Sequence, residues 1–177
     1  YGTKADRLHL HAEEITFEHP INKERITILK KQLSKLESYT PLIHKENSKV
    51  SKAKVGWQLD HALKVFNAVS EWTENSNPKE YKPNFNLWRS ILFPLCYIPR
   101  GKARAPKKVS PPDIITNDDL LNQFQQAHRH LEVLERLSKT SYFNHHMFGL
   151  LTKQQTLRFL EMHTKHHLKI VKDILKQ

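Results

Sequence analysis

The sequence predicts an all-α protein in which four long amphipathic helices pack as a four-helix bundle, with a short strand-like extension at the N-terminus. The chain has 177 residues, which suffices for one domain with a buried core. Hydrophobic residues make up 38% of it and only four glycines occur, a composition that favours helices over strands and turns. Four separate segments have apolar residues at three- and four-residue spacing, and no internal repeat is visible.

Residues 1–22 differ from the rest of the chain because their apolar residues alternate with polar ones. The alternating residues are Leu8, Leu10, Ala12, Ile15 and Phe17. A period of two predicts one or two short strands, and Pro20 with Asn22 predicts a turn after them. We therefore expect an extension over residues 1–22 and a helical domain over residues 23–177. Because the chain starts with Tyr1 and not with methionine, we expect a processed product or a piece of a longer protein.

Four segments have the periodicity of amphipathic helices. The first begins at Lys23, the second covers about residues 51–75, and the third begins near Thr116, followed by acids suited to a helix N-terminus. The fourth follows a capping box of Thr152 and Gln155. The predicted buried stripes contain Ile26, Leu29, Leu33, Leu36, Trp57, His61, Val65, Val69, Trp72, Leu120, Phe124, Ala127 or His128, Leu131, Leu134, Leu157, Leu160, His163, His167, Ile170 or Val171, and Ile174.

A short apolar segment covers residues 87–98 and predicts one or two helical turns interrupted at Pro94. Its aromatic residues, Trp88 among them, are expected to be buried. The segment is too short to span a bilayer and contains Arg89, so we expect no membrane contact. Cys96 is the only cysteine, so we expect no intrachain disulfide, a buried inert thiol and a cytoplasmic location.

The most informative residues are three histidines on predicted buried stripes, His61 on the second helix and His163 with His167 on the last. Burying imidazole is costly unless it has a partner. At about 100° per residue, His163 and His167 lie roughly 40° apart, whereas His166 lies about 60° to the other side of His163. His166 is therefore expected to flank the pair and support it, and a His163–His166 pairing is the alternative.

Three imidazoles from two helices predict a facial nitrogen site with open positions, which suits Zn, Ni or Fe(II). An open position allows a metal to lower the pKa of bound water or of a thiol near neutral pH. The "HTKHH" spacing lacks the glutamate of a zincin motif and argues against a metalloprotease. The competing interpretation is that the three histidines are only hydrogen-bonded core residues.

The segments "VGWQLDHAL" and "FGLLTKQQTLRFLEMHTKHHLKIV" resemble the DinB/YfiT-like superfamily over residues 24–177. Within it they are similar to a bacterial branch of unknown function that has an "HPxFGxLT" turn before a helix ending in "HxxHHL". The resemblance implies a four-helix bundle holding a divalent metal through His61, His163 and His167. Members include metal-dependent hydrolase-like proteins and thiol S-transferases. His145 matches the turn histidine, as a structural or supporting group or a fourth ligand, whereas His146 replaces the usual proline.

The segment "ADRLHLHAEEITFEHPINKERI" resembles the C-terminal tail of RluA-type RNA pseudouridine synthases over residues 5–26. The catalytic aspartate of that family lies in an upstream "HRLD" motif, which this chain lacks. The resemblance therefore implies a fragment of a longer fusion and no uridine isomerisation by this chain alone. His9, His11 and His19 belong to this segment and are expected at the surface or in turns.

The chain is strongly basic, with 29 Lys and Arg against 18 acids and a formal net charge of +11. Arg100, Lys102 and Arg104 begin a basic loop that is a candidate to bind an anionic substrate, such as a carboxylate-bearing thiol or a phosphate. The alternatives for this loop are contact with RNA phosphates and a solvated surface loop that binds no ligand. The first functional hypothesis is a metal-dependent hydrolase or thiol S-transferase acting on a small molecule, in a chain that forms a homodimer. The alternatives are a noncatalytic basic module that binds RNA, and a purely structural bundle.

Overall fold

The computed structural model describes residues 20–100 and 106–176, and the described part is predominantly α-helical. Within it lie five α-helices and one two-stranded sheet. The helices are α1 (Pro20–Glu37), α2 (Val55–Glu74), α3 (Leu87–Leu95), α4 (Asn117–Arg136) and α5 (Lys153–Leu175). The strands are β1 (Tyr142–His145) and β2 (Gly149–Thr152). The strands predicted within residues 1–19 fall outside the described residues.

The first helix begins earlier than the sequence pattern predicts. Pro20 and Asn22 are helical, so the turn expected there is wrong. Proline suits a helix start because its fixed backbone angle is helical and its missing N–H would have no partner in the first turn. The boundary predicted between residues 22 and 23 therefore falls inside α1.

The four long helices share one apolar core, with α2 packed against α4 and α5, and α1 packed against α5 and α4. The predicted stripes are largely buried. Thr116 with Asp119 forms a capping box at the start of α4, and Thr152 with Gln155 forms the predicted one before α5. The largest fully enclosed side chains are Phe66, Phe124, Leu29, Leu33, Leu36, Leu59, Leu63, Leu120, Leu131, Leu134, Leu151 and Leu157.

Helix α3 lies on the outside of this core, contrary to the expectation that its segment is buried. Trp88 is 57% exposed and Tyr97 is 55% exposed, while Leu92 and Phe93 pack against the core. Cys96 is half-buried and ends the helix in a left-handed conformation with φ of 49°. A helix of nine residues offers one narrow inner face, so the rest of its apolar side chains remain outside. Among the described helices, none combines sufficient length with the apolar composition that crossing a bilayer requires.

The hairpin of β1 and β2 corrects the all-α prediction. The strands are antiparallel, with Tyr142 opposite Thr152 and His145 opposite Gly149. Gly149 has a positive φ of 69°, a conformation that glycine adopts without strain. The turn lacks the Asn-Gly or Asp-Gly pair typical of short hairpins, so the local sequence does not indicate it.

Polar side chains from the segment before and within α3 fasten the hairpin turn. The Asn84 side-chain amide donates to the carbonyl of Leu150 at 3.0 Å, and Asn86 donates to that of Met147 at 2.9 Å. Arg89 donates to the carbonyls of Phe148 and Leu150 at 3.2 and 2.9 Å. No local sequence pattern predicts these contacts, because they join positions about sixty residues apart in the chain. They fix the turn that carries His145.

Candidate metal centre

The structure brings His61, His163 and His167 together, as the helix stripes predict. Their potential ligand nitrogens all lie within 4.8 Å of one another. The ring centroids of His163 and His167 are 4.6 Å apart, and that of His61 lies 5.3 and 5.0 Å from them. The one-turn spacing on α5 aligns the pair, and the packing of α2 on α5 supplies the third ring.

His61 is oriented by the chain segment that precedes α4. Its Nδ1 lies 2.8 Å from the backbone carbonyl oxygen of Val109, which can only accept a hydrogen bond. Nδ1 is therefore the protonated nitrogen, and Nε2 keeps a free lone pair. Trp57, one turn earlier on α2, stacks on the ring at a centroid distance of 5.0 Å and limits its rotation.

His167 is oriented by Gln58, a residue that the sequence reasoning missed. Nδ1 of His167 donates to Oε1 of Gln58 at 2.7 Å, so its Nε2 also carries a lone pair. The amide nitrogen of Gln58 donates to the Ser51 hydroxyl at 3.3 Å, so both ends of the amide have partners. A buried glutamine three residues before His61 on the same helix was the available signal in the sequence.

The environment keeps the three imidazoles neutral. Burial lowers the pKa of His61, and it lowers the pKa values of His163 and His167 well below the usual 6.5, with repulsion from neighbouring imidazoles acting in the same direction for the pair. Neutral imidazole is the form that binds metals. Among the described residues, His163 has no hydrogen-bond partner, and the ring of Phe159 packs beside it at 5.7 Å. Burial therefore leaves the imidazoles unprotonated, which is the state that coordination requires.

The cluster lies in a cavity of about 710 Å³ between α2, α3, α5 and the hairpin turn. Its walls are largely apolar and include Trp57, Val65, Val69, Trp72, Phe143, Phe148, Phe159 and Ile170. The cationic side chains that line it are Lys52, Arg100 and Lys108, and no carboxylate is present among the described lining residues. Trp72, expected in the core, instead lies at this cavity and is 41% exposed. One face of its ring stacks on Phe143.

His166 also lines the cavity but does not join the cluster. Its ring meets that of His167 edge-on at 5.1 Å. Burial lowers its pKa, and the charge of Arg100 lowers it further. The structure thus pairs His163 with His167, as the first of the two sequence interpretations has it.

His145 lies on the cavity wall, outside the group of three. Its Nδ1 accepts hydrogen bonds from the turn that follows it, and its described contacts include no hydrogen bond to the other site histidines. Arg100 pairs with Asp173 of α5 at 2.7 Å. Lys102 and Arg104, the other predicted anion-binding residues, lie outside the described residues.

Asp60 is buried but does not orient a site histidine. It accepts from the Gln123 side chain of α4 at 2.7 Å and pairs with Lys64 at 2.8 Å. It therefore ties α2 to α4 behind the cluster. The three histidines could hold a metal ion, because each presents one nitrogen within 4.8 Å of the others. The rings would have to bring these nitrogens closer together to form metal–nitrogen bonds of about 2.0–2.1 Å.

Residues 89–174 match a family model described as "Protein of unknown function (DUF1569)". The matched stretch includes most of α3, the hairpin, and α4 and α5 up to Ile174, and thus His163 and His167. His61 on α2 lies outside it. Neither the curated proteins nor the solved structures contain a match to the chain.

Proposed function

We infer that the chain is a metal-dependent hydrolase or thiol S-transferase, whose four long helices form a DinB/YfiT-like four-helix bundle. The observation that carries this proposal is the meeting of His61, His163 and His167 within 4.8 Å at a cavity. The lone cysteine, which permits no intrachain disulfide, supports a cytoplasmic location. The metal would be Zn, Ni or Fe(II), which imidazole nitrogens suit.

Two of the three candidate nitrogen donors have the tautomer that metal binding requires. Nδ1 of His61 and Nδ1 of His167 are both engaged as donors, so the free lone pairs lie on Nε2. Backbone or side-chain acceptors on the outer nitrogen are typical of metal-binding histidines, because they fix the tautomer and the ring orientation. A metal bound there supplies a Lewis acid that lowers the pKa of water or a thiol.

The remaining cavity residues would bind the substrate. Trp57 and Phe159 present apolar surface beside the histidines, which suits the organic part of a small molecule. Lys52 and Lys108 line the same cavity and attract an anionic group. Because burial keeps the imidazoles neutral, the free protein presents nitrogen lone pairs to an entering metal.

Metal analysis of protein purified without a histidine tag tests the proposal. We expect about one equivalent of divalent metal, and a melting temperature that rises with added Zn²⁺ because the ion binds the folded state. His163→Ala should lose both effects. His44→Ala is the matched control, because His44 is an exposed histidine outside the cavity. Metal contents equally low in wild type and His163→Ala would contradict the proposal.

The two reaction classes are separated by their nucleophile. The metal-loaded protein is assayed against small esters and amides, where a hydrolase uses water, and against an alkyl halide with added low-molecular-weight thiol. Turnover that requires the thiol identifies a transferase, and turnover without it identifies a hydrolase. Absence of both activities in metal-loaded protein would contradict catalysis while leaving the metal site intact.

A second candidate is an RNA-binding module, which the exposure of Trp88 and Tyr97 favours. Single-strand binders combine positive charge with aromatic faces on which bases stack, and the chain has a net charge of +11. We expect affinity for single-stranded RNA that falls steeply with salt, and that falls further in Trp88→Ala. Binding that does not change with salt concentration would remove this candidate.

A further inference from the structure

His145 is held in the tautomer opposite to that of His61 and His167. Its Nδ1 accepts the backbone N–H of Met147 at 3.1 Å and that of Phe148 at 3.3 Å. A nitrogen that accepts carries no proton, so the neutral ring has its N–H on Nε2. Burial, followed by the charge of the adjacent His146, lowers the pKa of His145 to about 4. The ring is therefore neutral at pH 7 and offers one donor.

The ring that carries this donor lines the cavity and is connected to His163 through Phe159. The ring of His145 packs on Phe148 at 4.7 Å and against Phe159 at 4.8 Å, and Phe159 in turn packs against His163 at 5.7 Å. His146 stacks on its other side at 4.5 Å. Among the described residues no acceptor takes the Nε2–H of His145, although the residue lines the cavity. This N–H is thus free for a ligand.

The turn does not need an imidazole at this position. Its two amides require only a side-chain acceptor two and three residues back, which asparagine supplies in Asx-turns. Histidine adds a second polar edge, and that edge is the one without a protein partner. The lining adds cations at Lys52 and Lys108 and, among its described members, no carboxylate. The polar groups around this apolar cavity therefore suit an anionic oxygen on an apolar body.

We propose that His145 donates a hydrogen bond from Nε2 to a carboxylate oxygen of a small organic acid bound in the histidine-lined cavity. The proposal rests on the proposed function in that the acid shares the cavity with the metal centre. The apolar body of the acid packs on the aromatic wall, and Lys52 and Lys108 favour its charge. His145 is thereby a ligand-selecting residue and not a fourth metal ligand.

Binding of two probes to zinc-loaded protein tests the assignment. Phenylacetate has an apolar ring and a carboxylate, whereas phenylmethanethiol has the same ring but no oxygen acceptor. His145→Asn keeps the acceptor for the turn amides and removes Nε2–H. We expect it to weaken phenylacetate binding about tenfold or more, as loss of a hydrogen bond to a charged group does, and to leave phenylmethanethiol binding unchanged. His146→Asn, which removes the neighbouring imidazole, is the matched control and should change neither affinity by as much.

The assignment would be overturned if wild type and His145→Asn bound phenylacetate with equal affinity, or if the wild type did not bind phenylacetate. It would also be overturned if His145→Asn weakened the binding of phenylacetate and phenylmethanethiol to the same extent. Nitrogen NMR of the wild-type imidazole provides a measurement that does not depend on the variant's folding. It should show an unprotonated Nδ1 and an Nε2–H signal that shifts on phenylacetate addition, and the opposite tautomer would also overturn the assignment. A wild type that binds phenylacetate through His145 but takes up no zinc would instead contradict the proposed function.

Discussion

Hydrogen bonds at Nδ1 decide which nitrogen three of the cavity histidines present to the cavity. The carbonyl of Val109 and the amide oxygen of Gln58 take the Nδ1 protons of His61 and His167, whereas two backbone amides occupy Nδ1 of His145. The same side-chain type therefore supplies lone pairs at one place in the cavity and a donor at another. The division depends on the outer partners and not on the histidines themselves.

Replacing Gln58 tests how far the outer partners matter. Gln58→Leu leaves the buried Nδ1–H of His167 without an acceptor, so we expect the free energy of unfolding to fall by about 1–3 kcal/mol. Zinc affinity should fall about 10–100-fold, because the ligand ring loses its orientation. Urea unfolding of the metal-free protein and a chelator competition measure the two effects separately.

Gln58→Glu is the matched variant, since it keeps an oxygen at the same position for Nδ1 of His167. It should retain zinc affinity at or above that of the wild type, because a carboxylate is a stronger acceptor than an amide. Zinc affinity that is unchanged in Gln58→Leu would show that the glutamine is only a core residue.

Helical spacing predicted that His163 and His167 share one face of α5 and that His61 lies on the buried face of α2. That the two faces meet depends on the packing of α2 against α5, which the spacing does not determine. The hydrogen-bond partners of these histidines were harder to predict from the sequence. Val109 reaches His61 from 48 positions away, and its contact depends on the path of a loop for which no periodicity exists.

At the scale of elements, the hairpin and α3 show where local patterns fail. Asn84, Asn86 and Arg89 hold the β1–β2 turn through hydrogen bonds. The sequence of residues 142–152 alone does not indicate these partners. Trp88 belongs to an apolar segment, yet it is exposed because a short helix buries only one face. Long helices were predictable, since each carries several turns of the same pattern.

Gly149 allows the hairpin turn to lie close to the side chain of Asn84. Its φ of 69° disfavours any side chain, and a Cβ there would lie 2.7 Å from Oδ1 of Asn84. We expect Gly149→Ala to lower the free energy of unfolding by about 1–3 kcal/mol through backbone strain and this contact. Hydrogen exchange should show faster opening of residues 142–152 than of α2.

Asn84→Ala provides the matched double-mutant cycle. It removes the atom that the new Cβ would meet, so the cost of Gly149→Ala should be smaller in that background, while the part due to the positive φ remains. Strictly additive costs would show that the side chain of Asn84 yields freely and that φ alone accounts for the effect. No loss of stability in Gly149→Ala would contradict the described turn.

At the scale of the whole molecule, the fold class can be predicted from the composition and from the helical spacing of the apolar residues, whereas the cavity cannot. The core forms because α1, α2, α4 and α5 each bury one apolar face. The cavity forms where α3 and the hairpin turn leave space beside α2 and α5. Its volume depends on contacts among all of them, so the sequence predicted its histidines, with His145 as a supporting residue, but not its shape.

Several neutral histidines around one cavity make the metal-free fold sensitive to acid. Burial lowers the pKa values of His61, His163 and His167 from the usual 6.5, and that of His145 to about 4. Below about pH 6.5 the unfolded chain therefore binds more protons than the folded one. The free energy of unfolding decreases as the pH falls toward the pKa values of these histidines in the folded protein.

Urea unfolding with a chelator present, between pH 7.5 and 5, measures this decrease. His163→Phe, which removes one titrating ring, should reduce its slope, while His44→Gln at the surface should not. A free energy of unfolding constant over that range would contradict the burial of neutral imidazoles.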